Sequence, residues 1–421
     1  FFPSVSAAWR ISEENFWQPL KGWWNDMKIR GSYGSLGNQV MDDLGNFPYL
    51  ATYGTNSSYN YLINGSKPVI VKAPGLVAPD FTWETVTQMD FGFDASFLNN
   101  RLTGTFDWYR RNTKDMLVAG ATLPATLGAS VPKSNSADMK TIGWELSLGW
   151  NDRLENGFSY WVKGVLSDYQ ATITKYAGND AGFYSQSDGD GKYYVGQKIG
   201  EIWGYHSNGL FQSDDEAATI DQSELYAGKW GAGDVKYEDL DNDGKITKGE
   251  ETIYNPGDKS IIGNKTPRYQ FGITIGFDHK NFDFEMFWQG TGKRDYMLSG
   301  AQFWGFTSQW DVPYTPALDY WTETNTDAYF PRPGWQNGGN RVTSDRYLQS
   351  AAYGRLKNLT VGYTIPKNLT TKWGISRLRL YVTGENLLTI TPLNDAFDPE
   401  TLGGMTYPIN RKVAIGLNLT L

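Results

Sequence analysis

The amino-acid sequence predicts an all-β protein, an antiparallel transmembrane β-barrel to which this chain contributes about eleven strands. Over stretches of about ten residues, apolar and polar side chains alternate, as in strands with lipid on one face and water on the other. The alternation is clearest at 89–97, 142–150, 269–277 and 413–421. The connections between such stretches are alternately short and long. Outer-membrane barrels show both patterns, because they have tight periplasmic turns and long extracellular loops.

Alternation and turn residues together predict the individual strands. They lie at about 2–11, 26–36, 83–97, 102–117, 139–150, 157–172, 267–279, 281–290, 347–365, 377–390 and 410–421. Short or moderate connections are predicted at about 12–25, 98–101, 151–156, 280–281 and 366–376, and long ones at about 37–82, 118–138, 173–266, 291–346 and 391–409. An odd number of strands does not close a bacterial barrel, and an open sheet leaves unpaired edges in lipid. We therefore expect further strands outside this chain.

Composition narrows the class of protein. The chain has 421 residues, of which 15% are aromatic, and a net charge of −8. The aromatic content fits the girdles of a membrane barrel, and the negative charge argues against a nucleic-acid partner. Without cysteine, neither a disulfide framework nor a thiolate metal site is available. The chain begins at Phe1 without the features of a signal peptide, so we expect it to be a fragment.

The longest connection, 173–266, is predicted to be a large extracellular loop with some structure of its own. A short helix is expected at 213–222, since Ser213 precedes three acidic residues in the pattern of an N-cap. Further along, residues 239–250 match the EF-hand calcium loop position for position. Gly244 permits the sharp turn of that loop. The oxygens expected to bind the metal belong to Asp239, Asp241, Asp243, the Lys245 carbonyl and Glu250.

The metal is predicted to be Ca²⁺, with Mg²⁺ as the second choice, in a structural role. Three carboxylates so close together repel one another without a cation. Which acid completes the shell is open between Glu250, Glu251 and Asp258. The alternative is a solvated acidic turn without a metal. Strand-like residues precede the loop where a paired EF-hand has a helix, so a calcium switch is not expected.

Catalytic signatures are missing from the sequence. The only histidines, His206 and His279, lie in no recognisable catalytic spacing, so the chain is not expected to be an enzyme. Aromatic residues in the long loops have two interpretations, stacking on sugar or peptide substrates and packing of the loops against one another. These candidates for substrate binding are Trp203, Tyr205, Trp304, Phe306, Trp310, Trp321 and Trp335.

Several segments resemble the SusC/RagA family of TonB-dependent outer-membrane transporters. They are 2–14, 27–39, 233–246, 261–264, 267–269 and 381–389. Two features depart from the family pattern. The family location of the closing metal ligand corresponds to Asp258, whereas Glu250 fits the EF-hand spacing, and the chain ends at Leu421 where an aromatic residue is usual.

The resemblance implies a 22-stranded barrel of which residues 1–421 form the C-terminal half. It also implies a plug domain outside these residues, coupling to TonB, a SusD-like lipoprotein lid over the extracellular mouth, and import of oligosaccharides or peptides across the outer membrane. Two other classes remain as alternatives. One is a secreted, calcium-dependent glycan-binding β protein, and the other is an outer-membrane enzyme barrel.

Overall fold

The structure is a computed structural model. It describes residues 1–39, 47, 49–56, 62–63, 65–67, 69–72, 74–79, 81–119, 124, 126, 131–184, 192–403 and 407–421. Its strands are β1 (Ser4–Trp9), β2 (Trp24–Asn38), β3 (Gly54–Asn56), β4 (Ile70–Lys72), β5 (Glu84–Phe97), β6 (Leu102–Ala119), β7 (Lys133–Arg153), β8 (Ser159–Tyr176), β9 (Glu201–Tyr205), β10 (Ser207–Leu210), β11 (Val235–Tyr237), β12 (Lys259–Asn264), β13 (Arg268–His279), β14 (Phe282–Lys293), β15 (Asp295–Met297), β16 (Leu348–Ser350), β17 (Tyr353–Thr364), β18 (Arg377–Ile390) and β19 (Lys412–Thr420).

Eleven of these strands form one antiparallel sheet in the order β1-β2-β5-β6-β7-β8-β13-β14-β17-β18-β19. Every predicted strand has its counterpart in this sheet, which confirms the predicted fold class. Neighbours in the sheet are also neighbours in the chain once the small loop strands are set aside. The other strands pair two by two, β3 with β4, β9 with β12, β10 with β11 and β15 with β16.

The register of the sheet separates an apolar face from a polar one. Phe93 of β5 pairs with Phe106 of β6, which pairs with Leu146 of β7, so these side chains share one face. On the other face, Arg30 forms ion pairs with Asp94 at 3.2 Å and with Asp107 at 2.5 Å. The apolar face is exposed, including on the last strand, β19. The exposed apolar side chains of β19 are Val413, Ile415, Leu417 and Leu419.

The connections lie at the two ends of the strands in the sheet. Short connections at 98–101, 154–158 and 280–281 lie at one end, with the moderate ones at 10–23 and 365–376. The long connections lie at the opposite end because neighbouring strands are antiparallel. Their bounds are 39–83, 120–132, 177–267, 294–352 and 391–411. This is the predicted alternation of short and long.

Two local predictions are wrong in extent. The strand predicted at 347–365 is divided into β16 and β17, because its pairing with the preceding strands shifts by one residue between Ser350, which pairs with Asp295, and Tyr353, which pairs with Thr291. The helix predicted at 213–222 is a single turn, α1 (Asp214–Ala217), capped by Ser213. It ends early because Asp221 is engaged by backbone hydrogen bonds with Gly244 and Ile246.

The hydrophobic core of the described residues lies in the loops and not in the sheet. Three long connections, 177–267, 294–352 and 391–411, supply it together, and we call them the loop domain. Its buried members include Tyr205, Val235, Tyr237, Ile246, Leu298, Phe303, Phe330, Tyr347, Leu393, Phe397 and Leu402. Helical segments are short throughout, with α2 (Ala301–Trp304) and α3 (Lys367–Thr370) each spanning one turn. No helix in the described part of the chain combines the length and apolar composition needed to cross a membrane.

Candidate functional site

The predicted metal loop brings three carboxylates together. One oxygen each of Asp239, Asp241 and Asp258 lie within 4.8 Å of one another. The turn that places the first two uses left-handed backbone at Asn242 (φ 62°) and Gly244 (φ 83°), as the sequence predicts for the glycine. Asp239 stabilises the turn by accepting the backbone N–H groups of both these residues, at 2.7 and 2.8 Å.

Asp258 closes the loop from the other side. Its side chain is fully buried, and its two oxygens accept the backbone N–H groups of Leu240 and Thr247, each at 2.7 Å. The loop is held in the core by Ile246, which is also fully buried and donates its N–H to the Asp221 carbonyl at 2.7 Å. The carboxylates therefore sit on a backbone that is fixed at both ends.

The electrostatics of this group favour a bound cation. Asp241 is exposed, but desolvation by the atoms around it and the charges of Asp243, Asp258 and Asp239 raise the pKa of its carboxyl. Burial has the same tendency at Asp239, but hydrogen bonds from Gly244 and its neighbours outweigh it and lower the pKa of that carboxyl. A divalent cation between these carboxylates would remove the repulsion that they exert on Asp241. Carboxylate oxygens are also the ligands that Ca²⁺ and Mg²⁺ prefer.

The other predicted acidic ligands do not belong to this group of three carboxylates. Asp243 accepts the backbone N–H of Lys245 at 2.8 Å, and Glu250 is exposed. Glu251 forms an ion pair with Lys259 at 3.5 Å. Among the three acids that the sequence left open, Asp258 is the one whose carboxylate joins Asp239 and Asp241. Metal binding itself stays a prediction.

A second candidate site is a pocket in the loop domain, which we call the arginine pocket. Its walls include Trp304, Phe306, Tyr320, Phe330, Arg332 and Arg341. Arg332 forms a bidentate ion pair with the fully buried Asp234, at 3.0 and 2.6 Å. Arg341 donates to the backbone carbonyls of Phe306, Gly334 and Trp335, at 3.3, 3.1 and 3.0 Å.

The aromatic residues predicted to bind substrate occupy different environments. Trp304 and Phe306 line the arginine pocket, and Trp335 lies at it through its carbonyl. Trp310 does not line that pocket, and its side chain is 83% exposed. The other three pack within the loop domain. Tyr205 is 2% exposed in the core, Trp203 stacks on Tyr184 with ring centroids 4.2 Å apart, and Trp321 packs against the core.

A third arrangement surrounds His206. Its Nε2 lies 2.7 Å from Ser260 Oγ, and its Nδ1 lies 2.8 Å from Asp345 Oδ2. The backbone N–H of Ser207 donates to the other Asp345 oxygen at 2.9 Å. The order of groups is that of a serine–histidine–aspartate triad. It also joins β12 to the segment before β16, so it ties two long connections together.

Sequence reasoning missed Arg332, Arg341 and the partners of His206. The residues of the His206 group are 139 and 54 positions apart in the chain. The arginines stand in loop segments without a recognisable binding motif. No local spacing marks such groups, since their proximity depends on how the loops pack.

Comparisons with known proteins agree with this architecture. Residues 1–387 match the sequence model of a family described as TonB dependent receptor-like, beta-barrel. The chain is 29% identical to TonB-dependent receptor P3 of Formosa agariphila, covering 100% of this chain and 42% of that protein. It is 26% identical to TonB-dependent receptor SusC of Bacteroides thetaiotaomicron, covering 99% of this chain and 40% of that protein.

Among solved structures, the chain is similar in fold to one described as the RagAB peptide transporter. The TM-score is 0.75 at 22% identity, over 99% of this chain and 43% of that one. The chain thus spans about two fifths of the length of the relatives it matches. The relatives by sequence are TonB-dependent receptors, which confirms that the chain is not an enzyme and rules out the enzyme alternative. We therefore interpret the His206 group as a tie between loops.

Proposed function

Because the chain belongs to the TonB-dependent receptor β-barrel family, we propose that it forms part of the wall and the extracellular loops of an importer for oligosaccharides or peptides. Proteins of this family lie in the outer membrane, so the secreted alternative is excluded. The observation that carries the proposal is the sheet with one uncovered apolar face and one polar face. Lipid covers the first face, and the second borders an aqueous lumen.

The proposed partners follow from the same family. A SusD-like lipoprotein covers the extracellular mouth, TonB supplies energy through a part of the protein outside these residues, and further strands and a plug complete the barrel. The loop domain supports the first of these proposals, because a packed loop structure offers a firm surface for a lid. Solubilising the outer membrane in mild detergent and isolating the full-length protein tests it, with a co-purifying lipoprotein as the expected result. Isolation of the importer alone from freshly solubilised membranes contradicts it.

Uptake by whole cells tests the importer proposal. A strain that lacks the full-length gene is compared with the parent for uptake of labelled oligosaccharides and labelled peptides. We expect the deletion to abolish uptake of one class, and an uncoupler of the proton gradient to do the same in the parent. Unchanged uptake of every oligomer in the deletion strain overturns the proposal.

We also propose that Asp239, Asp241 and Asp258 bind a structural Ca²⁺, with Mg²⁺ as the alternative. The support is their convergence on a rigid turn and the hardness of carboxylate ligands. Calcium titration of the full-length protein tests it. We expect Asp241→Asn and Asp258→Asn to weaken binding about tenfold or more, because each removes a charged ligand. Glu250→Gln is the matched control and is expected to bind normally. Normal binding by both Asp variants contradicts the site, and loss in Glu250→Gln alone moves the closing ligand to the EF-hand position.

A further inference from the structure

We propose that Arg332 and Arg341 bind a carboxylate of the transported oligomer at the opening of the arginine pocket, beside the exposed Pro333, since the pocket itself has a volume of about 20 Å³ and holds little more than a water molecule. This inference rests on the proposed import function and names the chemistry that the loops select. The carboxylate comes either from an acidic sugar or from a peptide. Both sources present the same planar anion, so the experiment has an arm for each.

The first argument concerns the balance of charge. Two guanidinium groups line the pocket, and one of them, Arg332, is neutralised by Asp234 behind it. Arg341 contacts only backbone carbonyls and has no carboxylate within 4 Å among the described residues. Asp311, the acid whose charge acts on Arg341, is held by Thr307 instead. The pocket therefore keeps an unpaired positive charge.

The second argument concerns unused hydrogen-bond donors. A guanidinium group carries five N–H donors in a planar fork that matches a carboxylate. The three carbonyls occupy the Nη1 donors and one Nη2 donor of Arg341, which leaves Nε and the second Nη2 hydrogen. On Arg332, the ion pair with Asp234 uses Nε and Nη2, and Nη1 has no protein partner in the described part of the chain. Donors on both arginines thus remain for a ligand.

The third argument concerns the surroundings of these donors. Burial lowers the pKa of the Arg341 guanidinium, which means that its charge is poorly solvated there. A bound anion restores the lost stabilisation, and the rings of Trp304, Phe306 and Tyr320 strengthen the attraction by excluding water. The unpaired charge therefore favours an acidic oligomer over a neutral one.

The experiment measures binding to the full-length protein in detergent. The probes are an oligogalacturonate, an acidic peptide, and neutral partners made by methyl-esterification of the first and amidation of the second. We expect one of the two anions to bind about ten to a hundred times more tightly than its neutral partner, the range of a charged hydrogen-bonded pair. The class that shows this difference identifies the source of the carboxylate. Equal binding of both anions and their neutral partners overturns the proposal.

A matched pair of variants separates charge from structure. Pro333 is exposed and lines the pocket. Pro333→Asp places a resident carboxylate beside the arginines, and Pro333→Asn changes the backbone in the same way without the charge. We expect the Asp variant to lose the preference for the anion and the Asn variant to keep it. Arg341→Gln should resemble the Asp variant, but it also removes bonds that hold the loop, so the Pro333 pair decides.

Failure of this inference and failure of the import function give different results. If only the pocket inference is wrong, the parent strain imports its oligomer, and Pro333→Asp and Pro333→Asn import it equally well. If the import function is wrong, the deletion strain takes up every oligomer as the parent does.

Discussion

His206 Nδ1 lies 2.8 Å from Asp345 Oδ2, across 139 positions of the chain. The contact joins the connection between β8 and β13 to the connection between β14 and β17. Ser260 adds a second hydrogen bond from β12, at 2.7 Å. The loop domain is thus held by a polar tie as well as by its hydrophobic core.

Removing this tie should loosen both connections. His206→Ala deletes two hydrogen bonds, each worth about 1 kcal/mol, so we expect faster hydrogen exchange at 205–210 and at 343–347. His206→Asn is the control, since its amide keeps a donor near the position of Nδ1 and should restore part of the protection. Unchanged exchange in the alanine variant at both segments would show that the contact holds nothing.

Phe303 is expected to be the most sensitive position of the loop core. It is fully buried, with ring centroids 5.1 Å from Phe330 and 6.2 Å from Phe397. Truncation to alanine should cost about 3–5 kcal/mol and open the loop domain to protease while the sheet remains folded. Because Phe397 belongs to another connection, cleavage should appear in 391–403 as well as near 303. The control is Trp310→Ala, whose side chain is 83% exposed and should have little effect.

The two faces of β18 should respond oppositely to a charge. Val382 pairs with Val361 and Ile415 on the apolar face, whereas Thr383 points to the polar face beside Thr360. Arginine at 382 should cost up to about 2–4 kcal/mol, depending on its depth in lipid, and lower the yield of folded protein in the membrane. Arginine at 383 should be tolerated. Heat-modifiability of the full-length protein on gels measures both, and equal yields would contradict the assignment of faces.

Acid should open the turn at 307–311. The side-chain and backbone donors of Thr307 contact Asp311 Oδ2 at 2.5 and 2.6 Å, and they lower the pKa of this carboxyl. A lowered pKa means that the carboxylate stabilises the fold above its ordinary pKa, and that the stabilisation disappears as the pH falls through the folded value. We therefore expect the turn to become protease-sensitive below about pH 4.

Substitution provides the matching test at neutral pH. Asp311→Asn should make the turn sensitive there, because a neutral amide oxygen accepts these hydrogen bonds more weakly than a carboxylate oxygen does. Asp327→Asn changes an exposed acid in the same connection and should leave cleavage as in the parent. A turn whose resistance to protease is the same at neutral pH and at about pH 1–2, below the ordinary range of a carboxyl pKa, would mean that Asp311 does not hold it.

Features that depend on neighbouring residues were predictable from the sequence, whereas features that depend on contacts between distant segments were not. The eleven strands were predictable because each alternating pattern is local, and a strand turns successive side chains to opposite faces. The division of 347–365 into two strands was not, because it depends on a one-residue shift in the pairing with the preceding strands. The metal loop shows the same division. The proximity of Asp239 and Asp241 follows from their spacing within one turn. The position of Asp258 beside them depends on how the chain folds back after the loop, which residue spacing does not specify.

The sequence by itself determined the all-β class, the two faces of the sheet, the end of the strands at which the long connections lie, and the turn that presents Asp239 and Asp241. Only the tertiary structure decided which aromatic residues line a pocket and which fill a core, and it alone brought Arg332 next to Arg341 and His206 next to Asp345. The physical reason is that strand alternation and turn geometry are set by neighbouring residues, whereas packing among three distant connections depends on all of them at once.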